Sequence, residues 1–191
     1  MEVRHGKWAV VDESMRSGER LYVLAAAIVD ADLADAHRKV LRALLPKGQR
    51  RLHWRDEREK RREQLAVTCG GLDLGIVVVM GTGMVPSRQE RARRRCAERL
   101  LWWLTDYGVE QVIFETRGPH ADAQDQRLVA ALQGHPSFPH PVPVTWTSPW
   151  QEPLLWLADI AAGTAVLAEL GDDRYLKLLG DTIEIDRFVA S

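Results

Sequence analysis

The sequence predicts an α/β domain on a mixed β-sheet, and three patterns carry that expectation. From residue 73 onward, near-continuous apolar runs alternate with amphipathic stretches, the rhythm of buried strands separated by covering helices. Ahead of them, two apolar runs lie so close together that a hairpin must join them, so the sheet is not purely parallel. The 191 residues suit one domain with a sizeable core, with a helical insertion at about 32–70 between the second and third strands and an extension at about 172–191.

Residues 7–12 and 21–29 read as the hairpin strands, joined by the polar turn SMRSGE. Asp30 or Asp32 can cap a helix over 33–45 whose apolar stripe is Leu33, Ala36, Val40, Leu41 and Leu44, stopped by Pro46 and Gly48. A short RLHW segment leads into a charged helix at about 55–68, ended by Gly70 and Gly71. DLGIVVVMG, 73–81, reads as a strand buried on both faces. Ser87 and Glu90 form a capping-box pattern before a long helix to Tyr107, with Ala92, Cys96, Leu100, Trp103 and Leu104 as its core stripe. VEQVIFE, 109–115, is the next strand, Ala121 to Gln133 a helix, and VTW, 144–146, a short strand after a proline-rich loop. Pro153 suits the first turn of a helix, LLWLADIAAGTAVLAEL, that runs to Gly171, and the tail adds a helical turn and an edge strand, TIEIDRFV. The central sheet thus has about five strands flanked by helices.

Formal charge is −1, so the whole-protein field does not advertise a polyanionic partner. The basic charge is nevertheless clustered, with six arginines between Arg88 and Arg99 and seven Arg or Lys within 50–62. Arginine outnumbers lysine 21 to 5; its planar fork binds phosphate bidentately, although codon bias produces the same excess. Cys69 and Cys96 have no metal-ligand spacing, no signal-like segment opens the sequence, and the apolar runs are too short to span a bilayer. A reduced, cytoplasmic setting without a membrane partner is the expectation.

Three acids interrupt apolar runs instead of decorating polar ones. Asp12 ends the first strand, Glu115 ends VIFE, and Asp159 lies inside LLWLADIAAG on the face that should pack against the sheet. A buried carboxylate must be paired, protonated or bound to a cation. Ligands of open α/β sheets gather beyond the strand ends, and if these three segments meet there the carboxylates would raise one another's pKa values until a cation neutralised them. Oxygen-only ligands select hard ions, so Mg²⁺ or Mn²⁺ is expected, and two such ions about 3.5 to 4 Å apart would support in-line phosphoryl displacement.

The order of these acid-bearing elements resembles the ribonuclease H-like fold. More narrowly, VDES at 11–14, LHW at 52–54, FETRG at 114–118 and LLWLADIAAG at 154–163 resemble the family called domain of unknown function 3800, over most of residues 8–170. The resemblance implies metal-site roles for Asp12, Glu115 and Asp159, with Glu13 or Asp125 as additional ligands and His53 near the site as a proton carrier or metal neighbour. The sequence departs from the pattern at Met15, where the family has glycine, in the helices inserted between strands two and three, and in lacking a clear first-helix glutamate ligand.

Each signal has a plainer reading. Asp12 and Glu13 could open a turn, Glu115 could pair with Arg117, Asp159 could form a buried salt bridge with Arg117 or Lys7, and His53 could be a packed histidine. Arg88, Arg91, Arg95 and Arg99 fall near one helical face, which is either solvated or, with Arg117, a track for the phosphates of RNA or DNA. Among the tryptophans, Trp54, Trp146 and Trp150 lie near loops where they could stack on bases. GTGMVPS, 81–87, has the setting of a dinucleotide phosphate loop, but Pro86 occupies the third-glycine position. The expectations are therefore a metal-dependent nuclease, a non-catalytic nucleic-acid or protein interaction module on the same fold, and a nucleotide-binding oxidoreductase. The C-terminal edge strand could pair with a second copy in a homodimer.

Overall fold

A computed structural model describes residues 6–190. Six strands form one mixed sheet in the order β5-β4-β1-β2-β3-β6. They are β1 (Lys7–Arg16), β2 (Leu21–Asp30), β3 (Gly75–Thr82), β4 (Val109–Glu115), β5 (Val144–Thr147) and β6 (Ile183–Val189). The hairpin pairs β1 with β2 antiparallel and β2 with β3 antiparallel, while β1–β4, β4–β5 and β3–β6 run parallel. Helices α1 (Ala34–Ala43), α2 (Glu59–Gly70), α3 (Gln89–Asp106), α4 (Pro119–Gln133), α5 (Leu155–Glu169) and α6 (Arg174–Lys177) complete the layers. The expected α/β class, inserted helices and C-terminal edge strand are all present, and that edge strand makes the sixth.

Strand alternation divides the core in two. Val10, Val23, Ala25, Ala27, Val78 and Ile113 face one side and pack with α5, α2 and α6. Val11, Leu24, Ala26, Val79 and Phe114 face the other and pack with α3 and α4. Small residues on β2 let α5 lie deep: Leu155 to Val166 are buried except Asp159. Gly163 is required where α5 meets the inserted segment, because a Cβ there would collide with the buried Trp54 ring.

Several local expectations change. β1 does not stop at Asp12; it continues to Arg16, since Leu21, Tyr22 and Val23 supply partners for Arg16, Met15 and Ser14. The turn is correspondingly tight, with Arg20 in the left-handed region at φ 57°. The capping box fails: α3 begins at Gln89 after a 3₁₀ turn and has no side-chain cap, because Glu90 turns to Arg117 instead. On α1 the buried face is Ala34, His37 and Leu41, while Val40 is 39% exposed, so the helix is rotated from its expected stripe.

Candidate active site

Asp12 and Glu115 are brought side by side by sheet register. Val10 pairs with Ile113 and Val11 with Phe114 across β1 and β4, and there the ladder between these two strands ends, although β1 continues along β2 and Glu115 still pairs with Thr147 of β5. The next residue on each strand is the acid. Alternation turns both toward the face of Val10 and Ile113, the face covered by α5, which carries Asp159. Three segments distant in sequence therefore deliver three carboxylates to one notch in the sheet.

Their environment is unfavourable for charge. Burial holds Asp12 well above the usual carboxylate range, and the charges of Asp159 and Glu115 push it further, against one hydrogen bond from the Glu13 N–H at 2.7 Å. Burial and then Asp159 raise Glu115, with Arg51 at 4.0 Å and His53 opposing. Asp159 is raised by burial, against a 2.7 Å hydrogen bond donated by the Trp54 N–H. These shifts share their two causes, desolvation and like charge. The carboxylates do not stand as a finished cage, since among the described residues no three His, Cys, Asp or Glu side chains are arranged as metal ligands. Their chemistry still fits a hard divalent cation, being all oxygen and mutually repulsive.

A cavity of about 200 Å³ opens at these strand tips, lined by Asp12, Glu115 and His53 on one flank and by Glu13, Arg93 and Arg117 on the other. His53 Nδ1 lies 3.3 Å from Asp56 Oδ2. Its position depends on its neighbour: Trp54 is clamped between Gly163 and Tyr175, with ring centroids 5.4 Å apart for the tryptophan and tyrosine. Trp54 is thus a buried anchor, not the base-stacking surface its loop position suggested. Trp146 is half-buried and stacks on Phe114, whereas Trp150 is 60% exposed.

Glu13 and Asp125 are not brought to the three acids. Glu13 points to the opposite face of the sheet, where it accepts hydrogen bonds from Tyr22 Oη at 2.6 Å and Arg93 Nε at 2.9 Å. Asp125, on α4, accepts from Arg93 Nη1 at 2.6 Å and Arg117 Nη2 at 3.1 Å. Each is engaged through one oxygen by a guanidinium group and lies apart from the three acids, and Asp125 Oδ2 has no hydrogen-bond partner among the described residues. Burial outweighs both arginines and leaves Asp125 raised, while Tyr22 is pushed up by burial and by the Glu13 charge.

Arg93, 2% exposed, is the site residue that sequence reasoning passed over. It sits in an arginine run that looked solvated, yet it shares a helical stripe with Ala97, Leu100 and Leu104, and that periodicity was its signal. The expected four-arginine track is divided. Arg88 and Arg91 are exposed near the strand-tip end, but Arg95 lies over the Phe188 ring and Arg99 pairs with Asp186 at 2.9 Å, both occupied by β6. The GTGMVPS loop is closed upon itself, with Met84 N–H bonded to the Arg20 carbonyl and the Arg20 guanidinium on the carbonyls of Gly83 and Met84, so it offers no open amide cradle. Burial pushes the Cys69 and Cys96 thiols up to about 12, far from nucleophilic use.

No family model matches the sequence, and no curated protein sequence does. Solved structures do match. The ribonuclease HII of Archaeoglobus fulgidus, in the structure of its complex with PCNA, aligns with a TM-score of 0.56 and 17% sequence identity, over 91% of this chain and 78% of that one. The fold is ribonuclease H-like. At that identity the likeness concerns the arrangement of strands and helices, and the narrower family resemblance stands on the quoted motifs alone. Within the ribonuclease H-like sheet, the notch between β1 and β4 is where Asp12 and Glu115 lie. No helix among the described residues is long and apolar enough to cross a membrane.

Proposed function

We propose that the chain is a divalent-cation-dependent phosphodiester hydrolase acting on nucleic acid, with Asp12, Glu115 and Asp159 as the cation ligands. One observation carries the reading: acids from β1, β4 and α5 face one notch, where burial raises the pKa values of all three and the Asp159 charge raises those of Asp12 and Glu115 further. Perturbed carboxylates left without a matching cation are the mark of a functional site more often than of a stabilising one. The ribonuclease H-like fold and the name of the archaeal neighbour agree with it, as do the motifs that resemble domain of unknown function 3800. Mg²⁺ or Mn²⁺ suits oxygen-only ligands, and when bound supplies positive charge to a phosphoryl oxygen and acidity to an attacking water.

The chain's own residues perform the rest. The Glu13 N–H fixes Asp12 Oδ1 and the Trp54 N–H fixes Asp159 Oδ2, so both carboxylates are oriented before any ligand arrives. His53, with Nδ1 toward Asp56, lies on the cavity wall and can take up or deliver a proton. Arg51, exposed and 4.0 Å from Glu115, suits phosphate oxygens. The test is cleavage of end-labelled RNA and DNA with Mg²⁺, Mn²⁺ or EDTA, together with cation titration calorimetry. Cleavage should require the cation and fall by about 100-fold or more in Asp12→Asn and in Asp159→Asn. Undiminished cleavage in both variants would exclude the assignment.

A non-catalytic interaction module on this fold has one observation in its favour: Arg51 and the Trp54 N–H give Glu115 and Asp159 structural partners. It requires that Mn²⁺ leave the melting temperature of the wild type unchanged. The hydrolase reading requires that Mn²⁺ raise it, and that Asp12→Asn abolish the increase.

A further inference from the structure

The strand-tip cavity does not end at the acids. Its far wall is Arg93, which also lines a cavity of about 400 Å³ between α3 and α4. That cavity in turn shares Glu90, Arg94 and Leu128 with a third, of about 500 Å³, farther along the same two helices. The second and third openings are thus parts of one groove along α3 and α4, on the face of the sheet opposite Asp12 and Glu115, and the buried Arg93 is the wall between that groove and the strand-tip cavity. We propose that this groove binds a single strand of nucleic acid leaving the catalytic notch, with Arg91, Arg94 and Arg127 on its phosphates; this rests on the hydrolase reading of the notch.

Charge and chemistry both favour that occupant. Arg91, Arg94 and Arg127 are exposed along the groove and, among the described residues, make no ion pair or hydrogen bond. By contrast, the other two buried or paired arginines of the same groove end, Arg93 and Arg117, are consumed by Glu13 and Asp125. Arg91 and Arg94 are neighbours on one helical face and Arg127 reaches in from α4; Glu90, held by Arg117, and Glu98 line the groove too, so these arginines outnumber the acids that remain. The floor between them is apolar, from Leu128, Ala131 and Leu132. A cationic rail beside an apolar floor is what a phosphate backbone with unpaired bases requires. Duplex DNA presents its bases only through its grooves, and a trough between two helices cannot receive the whole duplex. The path differs from the Arg88, Arg91, Arg95 and Arg99 face: it keeps Arg91, replaces the β6-bound Arg99 with Arg94, and adds an arginine from a second helix.

The experiment is fluorescence anisotropy with fluorescein-labelled 20-mers of single-stranded RNA, single-stranded DNA and a matching duplex, in EDTA and again with Ca²⁺, over a range of salt concentrations. Arg94→Glu with Arg127→Glu should weaken single-strand binding by about 10-fold or more and flatten the slope of log affinity against log salt by about 1.4, two phosphate contacts' worth. Arg94→Gln with Arg127→Gln should give a smaller loss in the same direction, and thermal melting checks that both variants fold. Lys39→Glu with Arg42→Glu on α1 makes the same charge change away from the groove and should leave affinity and slope near the wild type. The proposal is overturned if the two groove variants bind as the wild type does, if the α1 variant loses as much, if a duplex binds more tightly through the same arginines, or if the wild type binds no single strand in either condition. Groove-dependent binding without cleavage under any cation would keep the groove and remove the hydrolase; cleavage indifferent to Arg94 and Arg127 would do the reverse.

Discussion

On the α5 side of the sheet, three carboxylates gather beside the partly exposed Arg51 and His53; on the α3 side, one residue farther along the same strand, Glu13 joins Asp125 under two arginines. Asp12 and Glu115 of the first group and Glu13 of the second line the same cavity, with Asp159 and Asp125 set behind it. The difference is what has been done about the charge. On the α3 side the guanidinium groups engage one oxygen of each carboxylate, giving a network that links β1, β2, α3, α4 and the loop after β4, although Asp125 Oδ2 and Arg117 Nε lack hydrogen-bond partners of their own among the described residues. On the α5 side the oxygens are oriented by backbone amides but their charge is left over. A paired network fixes the strand tips, and an unpaired one is available to bind something. The neutralised side thereby holds in place the strands that carry the uncompensated side.

The largest expected effect comes from opening the paired network. Arg93→Ala removes the buried guanidinium between half-buried Glu13 and buried Asp125, leaving them only Arg117, and should cost about 3 kcal/mol in urea unfolding. Exchanging the whole set for Glu13→Gln, Arg93→Met and Asp125→Asn should restore most of that loss, because the penalty belongs to the unpaired charges and not to the arginine itself. Gly163→Ala tests the mechanical coupling on the other side. It drives a methyl group into Trp54, and should destabilise by about 1 to 3 kcal/mol while lowering activity, since Trp54 holds Asp159 and sets His53.

Asp12→Asn should do the opposite of Arg93→Ala. In EDTA it relieves desolvation and like-charge repulsion, and should stabilise the protein by on the order of 1 kcal/mol, the scale of one close charge contact in a water-like medium. The pH dependence has a matching sign. The folded-state pKa of Asp12 lies above its unfolded value, so its destabilisation is absent below the unfolded value and grows as pH rises through the folded one. Urea midpoints of the cation-free wild type should therefore improve on mild acidification relative to Asp12→Asn. Asp186 gives the smallest effect and the reverse sign. The Arg99 hydrogen bond holds its carboxyl below the usual range, so its contribution is present above the unfolded value and is lost as pH falls through the folded one. Asp186→Asn should cost a few tenths of a kcal/mol near neutral pH, as partly exposed pairs do. If Asp12→Asn destabilises and Arg93→Ala does not, the contrast between the two sides is wrong.

The α5 side was largely legible in the sequence because its signal is local: each of Asp12, Glu115 and Asp159 interrupts an apolar run, and such an interruption needs no knowledge of the partner. Period-2 and period-3.6 patterns likewise located the main strands and helices. The α3 side was illegible for the complementary reason. Glu13 and Asp125 look alike as acids at polar positions, and only the fold reveals that Arg93 lies between them, 80 residues from one and 32 from the other. The extension of β1 past Asp12 was hidden too, since Glu13, Ser14 and Arg16 are polar and are held in the strand by the apolar partners Leu21, Val23 and Leu24. Trp54 misled because a tryptophan beside a loop resembles a surface residue until Gly163, more than a hundred positions later, provides its socket.

That socket also bears on timing during synthesis. A nascent chain presents Asp12 first, Glu115 a hundred residues later, and Asp159 only with α5, whose docking also seats Trp54 and His53. Domains fold as units as they leave the ribosome, N-terminal parts first. A truncated or stalled product ending before α5 would carry two of the acids without the third, and could not hold the segment bearing its histidine. Completion of the notch is therefore a late event in synthesis, set by the docking of α5.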